Sequence, residues 1–116
     1  MRQYGSAWAD LGKLLRATGR TDEGEEVLRA GATAGVVECM LPLANVLSRR
    51  AERAESEQLY RRAFDLGDGH AAWNLANDLA EEGRLEEASE WRWRAAANGD
   101  EVAIRHLVDE ATSDER

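Results

Sequence analysis

At 116 residues and 12.9 kDa the chain has room for one compact domain with a modest core, which excludes a multidomain enzyme with a separate cofactor lobe. Hydrophobic residues make up 43% and charged residues 33%, with a single proline, a mix that suits packed helices and excludes a β-sandwich or a disordered chain. Lys plus Arg total 15 against 23 Asp plus Glu, and the resulting charge of −8 repels a phosphate backbone or an anionic membrane at long range, so nucleic-acid and membrane roles are set aside.

A period of 32 residues runs through the chain: Leu11, Leu43, Leu75 and Leu107 keep it, as do Leu15, Leu47 and Leu79, and Gly35, Gly67 and Gly99. Trp8, Leu11 and Leu15 at three and four predict a first helix over 5–18, which Gly19-Arg20-Thr21-Asp22 turns into a second over 21–34. That helix carries Glu23, Glu25 and Glu26 in its early turns, where the macrodipole favours them, and Ala34-Gly35 supplies a left-handed end. The third helix, 38–50, contains Pro42, which removes a backbone donor and should either start the helix late, near Leu41, or kink it. Ala51-Glu52-Arg53 turns the chain without a glycine into a fourth helix over 53–66, closed by Leu66-Gly67-Asp68. A fifth over 70–82, the turn Gly83-Arg84-Leu85-Glu86, and a sixth over 85–98 ending at Asn98-Gly99 repeat the scheme. A seventh near 101–112 caps the end, with a frayed acidic tail from Thr112 to Arg116.

These residues carry a resemblance. Trp8-Ala9-Asp10-Leu11-Gly12-Lys13-Leu14-Leu15, followed by Gly24, Leu28 and Gly31, resembles a tetratricopeptide repeat. The family's three small positions read Gly12, Gly24, Gly31, then Ala44, Ser56, Ala63, then Ala76, Ala88, Ala95. Small residues at these slots let two helix backbones approach closely. The departures are a period of 32 in place of 34, no proline closing any repeat, and glycine endings similar to Sel-one-like repeats. Arg92 takes the large apolar slot of the sixth helix between Trp91 and Trp93, so either the packing there is rotated or the tryptophans cover a different neighbour. The resemblance implies an all-α, right-handed α-solenoid of three helical hairpins plus a capping helix. Residues 1–116 then form a single domain, with repeats at about 5–36, 37–68 and 69–100.

Catalytic chemistry finds little to use. Cys39 is the only cysteine, which rules out an internal disulfide and a cysteine-based metal site and fits a reducing, cytoplasmic setting. The opening residues 1 to 6 lack the apolar stretch of a signal peptide, in keeping with that location. His70 and His106 fall on different repeats and read as solvent-facing polar residues, and there is no His-x-x-x-His pattern or phosphate loop. No enzyme, cofactor or metal is expected. Cys39 reads as a small, semi-buried apolar residue near a helix start, with a redox sensor as the alternative.

In tetratricopeptide domains the first helix of each hairpin lines a concave groove that commonly holds an extended peptide or a partner's helix. The resemblance places Ser6, Ala9, Asp10, Lys13 and Ala17 on that face in repeat one, and Glu38, Leu41, Pro42, Asn45 and Arg49 in repeat two. Repeat three adds His70, Trp73, Asn74, Asn77 and Glu81, and the last helix adds Arg105 and Asp109. Asn45 and Asn77 share a slot, with Asn74 a turn earlier, and their carboxamides are suited to pairing with a peptide backbone. The same amides are equally able to bridge adjacent helices. Trp73 supplies an apolar anchor, or packs on the last helix through Arg105 or His106. Lys13 and Arg49 are placed to meet a carboxylate, whereas the acidic C-terminal half favours a basic partner. Arg49, Arg50, Arg53, Arg61 and Arg62 interleave with Glu52, Glu55, Glu57 and Asp65 as an ion-paired surface, so an RNA reading is set aside. The expected function is a non-catalytic adaptor for a protein or peptide partner. The alternative is a self-associating or structural module that uses the exposed end of the first helix around Tyr4 and Trp8.

Overall fold

The computed structural model describes residues 5–113, with side chains from Ala7 onward. Seven helices follow in order: α1 Gly5–Ala17, α2 Thr21–Thr33, α3 Val37–Arg49, α4 Arg53–Asp65, α5 Gly69–Glu81, α6 Leu85–Ala97 and α7 Glu101–Ser113. No strand occurs among the described residues, and the all-α class of repeated hairpins is the one observed. Every helix has 13 residues, and each begins sixteen after the one before, so the 32-residue period divides into equal halves.

The interval is set at the corners. Gly19, Gly35, Gly67, Gly83 and Gly99 all adopt positive φ just past a helix end. The paired bonds of a Schellman closure run, for instance, from the Val36 amide to the Gly31 carbonyl at 2.9 Å and from the Gly35 amide to that of Ala32 at 3.0 Å. The sixth corner holds Ala51 at φ 61°, with the same bonds, Glu52 to Leu47 at 2.9 Å and Ala51 to Ser48 at 2.9 Å. An L-residue pays a steric penalty there that glycine does not. Ala51→Gly is therefore expected to raise stability by about 0.5–1 kcal/mol, after the glycine's entropic cost in the unfolded chain is subtracted. A higher urea midpoint at constant slope would record this, and a lower midpoint would contradict it.

α1 to α4 cluster as one compact unit and α5 to α7 as a second, divided between Leu66 and Gly67. In the first unit, α1 pairs with α2 and α3 with α4, and the second hairpin stacks on the first through α2 and α1 against α3. In the second, α5 and α6 form a hairpin and α7 packs on α6. All nine small slots are buried. The first hairpin is the tightest, since a Cβ added to Gly24 would lie 2.7 Å from the carbonyl oxygen of Gly12, and one added to Gly31 would overlap the Cys39 sulfur.

Four expectations are narrowed or corrected. α3 starts at Val37 and continues through Pro42, so the late start near Leu41 does not occur. Leu11 is 47% exposed, although Leu43 and Leu75 in the same slot are buried, because among the described residues no helix lies across α1 as α2 lies across α3. α6 keeps its register: Ala88 and Ala95 stay buried, Trp91 turns inward at 4% exposure and Trp93 outward at 63%, while Arg92 is half-buried. The tryptophan beside the arginine thus supplies the missing volume, and the Arg94 guanidinium stacks 4.5 Å over its ring. α7 reaches Ser113, past the point where fraying was expected, and 114–116 lie outside the described residues.

Candidate functional site

The residues placed on the groove face divide between the two units. In the first, Lys13 on α1 and Arg49 on α3 are exposed, whereas Ala9 is buried and belongs to the core. Asn45 is half-buried on α3, and its Oδ1 accepts a 2.6 Å hydrogen bond from the Tyr60 hydroxyl of α4. Tyr60 is itself buried, so this short bond gives its hydroxyl an acceptor and ties the two helices of the hairpin. The amide thus performs the helix-bridging role among the two weighed for it. Ser6 and Tyr4 fall among residues whose side chains or backbone lie outside the described part.

In the second unit the cap of α7 sets the geometry. Asp100 accepts from the Ala103 amide through Oδ2 at 3.0 Å, and its Oδ1 lies 2.9 Å from His70 Nδ1. Asp68 in turn caps α5 by accepting from the amides of His70 and Ala71. His70 is therefore a link between the starts of α5 and α7, more than the solvent-facing residue its position in the chain implies. One turn along α5, half-buried Trp73 meets His106 of α7 edge-on, with ring centroids 5.4 Å apart and planes at 64°. Asn74 beside it is half-buried. Asn77, a further turn on, is exposed and its carboxamide makes no hydrogen bond among the described residues, and Arg105 is exposed next to His106. Trp73, Asn77 and Arg105 thus give α5 and α7 an apolar ring edge, an open carboxamide and a guanidinium.

The second helices carry ion pairs instead. Glu25 of α2 accepts from Arg50 through both oxygens, at 2.7 and 3.0 Å, and from Arg29, which also pairs with Glu55 of α4; Arg50 extends to Glu52. The hydrogen bond from Arg50 holds the Glu25 carboxyl below the usual glutamate range. Exposed pairs of this sort contribute little stability one at a time, but they engage Arg29 and Arg50, which would otherwise be open to an anion.

Cys39 is fully buried against the Gly31 turn, and burial pushes its thiol above the ordinary range, the opposite of what a redox-active thiolate needs. No group of three His, Cys, Asp or Glu able to hold a metal occurs among the described residues. No described helix is long and apolar enough to cross a membrane.

Sequence reasoning missed one surface and foresaw another only through Trp8. Trp93 and Leu85 project from α6, two turns apart on one face, which only the burial of Trp91 makes evident. Between α1 and α2, Trp8, Leu11, Val27 and Ala30 line an open hollow, which core-type slots concealed because the same slots are covered elsewhere.

With this geometry in view, residues 36–68 match the family described as tetratricopeptide repeat, so the second repeat is a member of that class. Two solved structures of SycD, the type III secretion translocator chaperone of Yersinia enterocolitica, are similar to the chain throughout. One, described as an alternative dimer, aligns with a TM-score of 0.72 at 15% identity over 96% of this chain and 88% of that one. The other aligns with a TM-score of 0.70 at 15% identity over 97% and 88%. Likeness at this identity shows the fold, and with the matched repeat it establishes the tetratricopeptide-type helical-repeat architecture. No curated protein matches the chain in sequence. No enzymatic family is indicated by any of these matches.

Proposed function

We propose that the chain is a non-catalytic, cytoplasmic adaptor whose residues 1–116 act as one domain and hold a peptide or partner segment on the face of the first helices. Protein–protein interaction is the class of function that a tetratricopeptide repeat and a chaperone-like fold suggest. The observation that carries the finer reading is on α5, where Trp73 presents a ring braced by His106 and Asn77, one turn away, leaves its carboxamide open. A rigid aromatic edge beside an unengaged amide is what an extended peptide uses for anchorage and backbone pairing. Arg105, exposed beside His106 in the chain, is the cation proposed to meet a carboxylate. Asn74 belongs to the same proposed set on α5, and in the first unit the proposed set is Lys13, Arg49 and Asn45, the last acting through the hairpin that it ties to Tyr60.

The test is affinity capture from cytosol with three proteins side by side: wild type, Asn77→Ala, and Trp73→Ala combined with Asn77→Ala. A partner retained by wild type should fall about tenfold in the double variant, equivalent to ~1.4 kcal/mol, and by less in the single one. Asn77 is exposed, so the single variant should keep the wild-type melting temperature. Equal retention by all three would reject this surface.

A further inference from the structure

The first hairpin carries a second surface, lined by residues outside the proposed binding set. On α1, Trp8, Leu11 and Leu14 recur every three residues and are 39%, 47% and 59% exposed. Trp8 and Leu11 join Val27 and Ala30 of α2 around a hollow of about 190 Å³ with an almost wholly apolar lining. In the slot of Leu11 one repeat later, Leu43 is buried where α2 packs on α3, so within this same unit the position is covered by a helix lying across it.

Charge says what kind of helix. By helical spacing, Asp10 flanks Leu11 and Leu14 on α1 and Glu26 flanks Val27 and Ala30 on α2, with Asp22 one turn before Glu26. All three carboxylates are exposed and make no ion pair among the described residues. Among the hairpin's cations, Arg20 is held by both oxygens of Glu23 at 2.7 Å and Arg29 by Glu25 and Glu55, the Arg16 stem lies over Gly24, and Lys13 falls on the side of α1 opposite Leu11 by helical spacing. The apolar hollow therefore has an acidic rim.

We propose that this hollow docks an amphipathic helix of a partner protein, one whose apolar stripe is flanked by Lys or Arg. A second copy of this chain fits less well. The whole molecule carries −8, and α7, which exposes Ile104 and Val108, bears Glu101, Asp109 and Glu110 against Arg105 alone.

Three labelled synthetic peptides of about 14 residues test the proposal by fluorescence anisotropy at ~0.15 M salt: a Leu/Lys amphipathic helix, its Leu/Glu counterpart, and a Ser/Lys peptide of equal charge without an apolar stripe. The Leu/Lys peptide is expected to bind wild type at least about tenfold more tightly than either control. Leu11→Ser with Leu14→Ser should abolish that margin, and Asp10→Asn with Glu26→Gln should weaken binding and flatten its salt dependence. Both pairs are exposed, and circular dichroism should show their fold intact. Trp73→Ala with Asn77→Ala should leave this binding unchanged, which separates it from the groove reading. Equal binding of the Ser/Lys peptide, or binding that survives Leu11→Ser with Leu14→Ser, would reduce the effect to general attraction and overturn the proposal. A wild-type dimer in sedimentation that those two substitutions dissolve, with no peptide binding, would overturn it in favour of a second copy.

Discussion

Leu75→Ala is expected to cost about 2–5 kcal/mol, the largest loss of any truncation considered for this chain. Leu75 is 1% exposed on α5, and the other buried residues of that helix, Ala71, Ala72, Ala76, Asp78 and Leu79, are mostly small. Small residues cannot move in to refill the space, so the cavity term adds to the lost transfer energy. The unit from Gly67 onward is short, and its core has few other large aliphatic side chains to share the loss. Urea denaturation gives the magnitude, and hydrogen exchange gives the place: amides of α5 to α7 should lose protection first. A change below about 0.5 kcal/mol would mean that the burial assigned to this slot is wrong.

Gly31→Ala is expected to cost about 1–3 kcal/mol, because the new methyl would overlap the sulfur of Cys39 and lie 3.1 Å from Cε3 of Trp8. This is overpacking between α2 and α3, where two backbones meet closely enough that glycine and a small thiol share one space. The partner named by the geometry supplies an internal check. In a Cys39→Ala background the sulfur is gone while the Cβ at 3.0 Å and Trp8 Cε3 at 3.1 Å remain, so the penalty of Gly31→Ala should fall by about 1 kcal/mol without vanishing, a favourable coupling in a double-mutant cycle. Additive losses would place the clash elsewhere. The burial of Cys39 thus has a packing explanation, in keeping with a thiol pushed away from its reactive form.

What the amino-acid order made legible was the backbone. Helix ends fell within a residue or so of expectation because glycine corners and apolar spacing both act locally, and the nine small slots were found because close helix approach leaves a residue-size signature. Side-chain direction was harder. Nothing in Trp91-Arg92-Trp93 says which ring turns inward, since that depends on which one the facing helix can accommodate. Pro42 is a similar case, as packing of the six buried residues around it in α3 outweighs the lost backbone bond. At the candidate site, Trp73 and Asn77 were recognisable as large or amide residues on a polar stripe. The attachment of Asn45 to Tyr60, and of His70 to Asp100, involves partners fifteen and thirty positions away that no local pattern specifies. The exposure of Leu11 was hidden for a related reason, since a core slot is buried only if something lies across it.

The constant sixteen-residue interval between helix starts has a consequence for how such a chain changes length over time. Any stretch cut from one glycine corner to the corner two further on removes the first and the second helix of a hairpin together, and the rejoined ends meet with the same turn geometry as before. A cut of one interval keeps the turn but exchanges the two kinds of helix from that point on, so buried stripes face solvent. Duplication and loss by whole hairpins are therefore structurally silent at the seam, while half-hairpin events are not. In that light Ala51, the one corner without glycine, marks a midpoint rather than a seam, a left-handed turn within a hairpin and not between two.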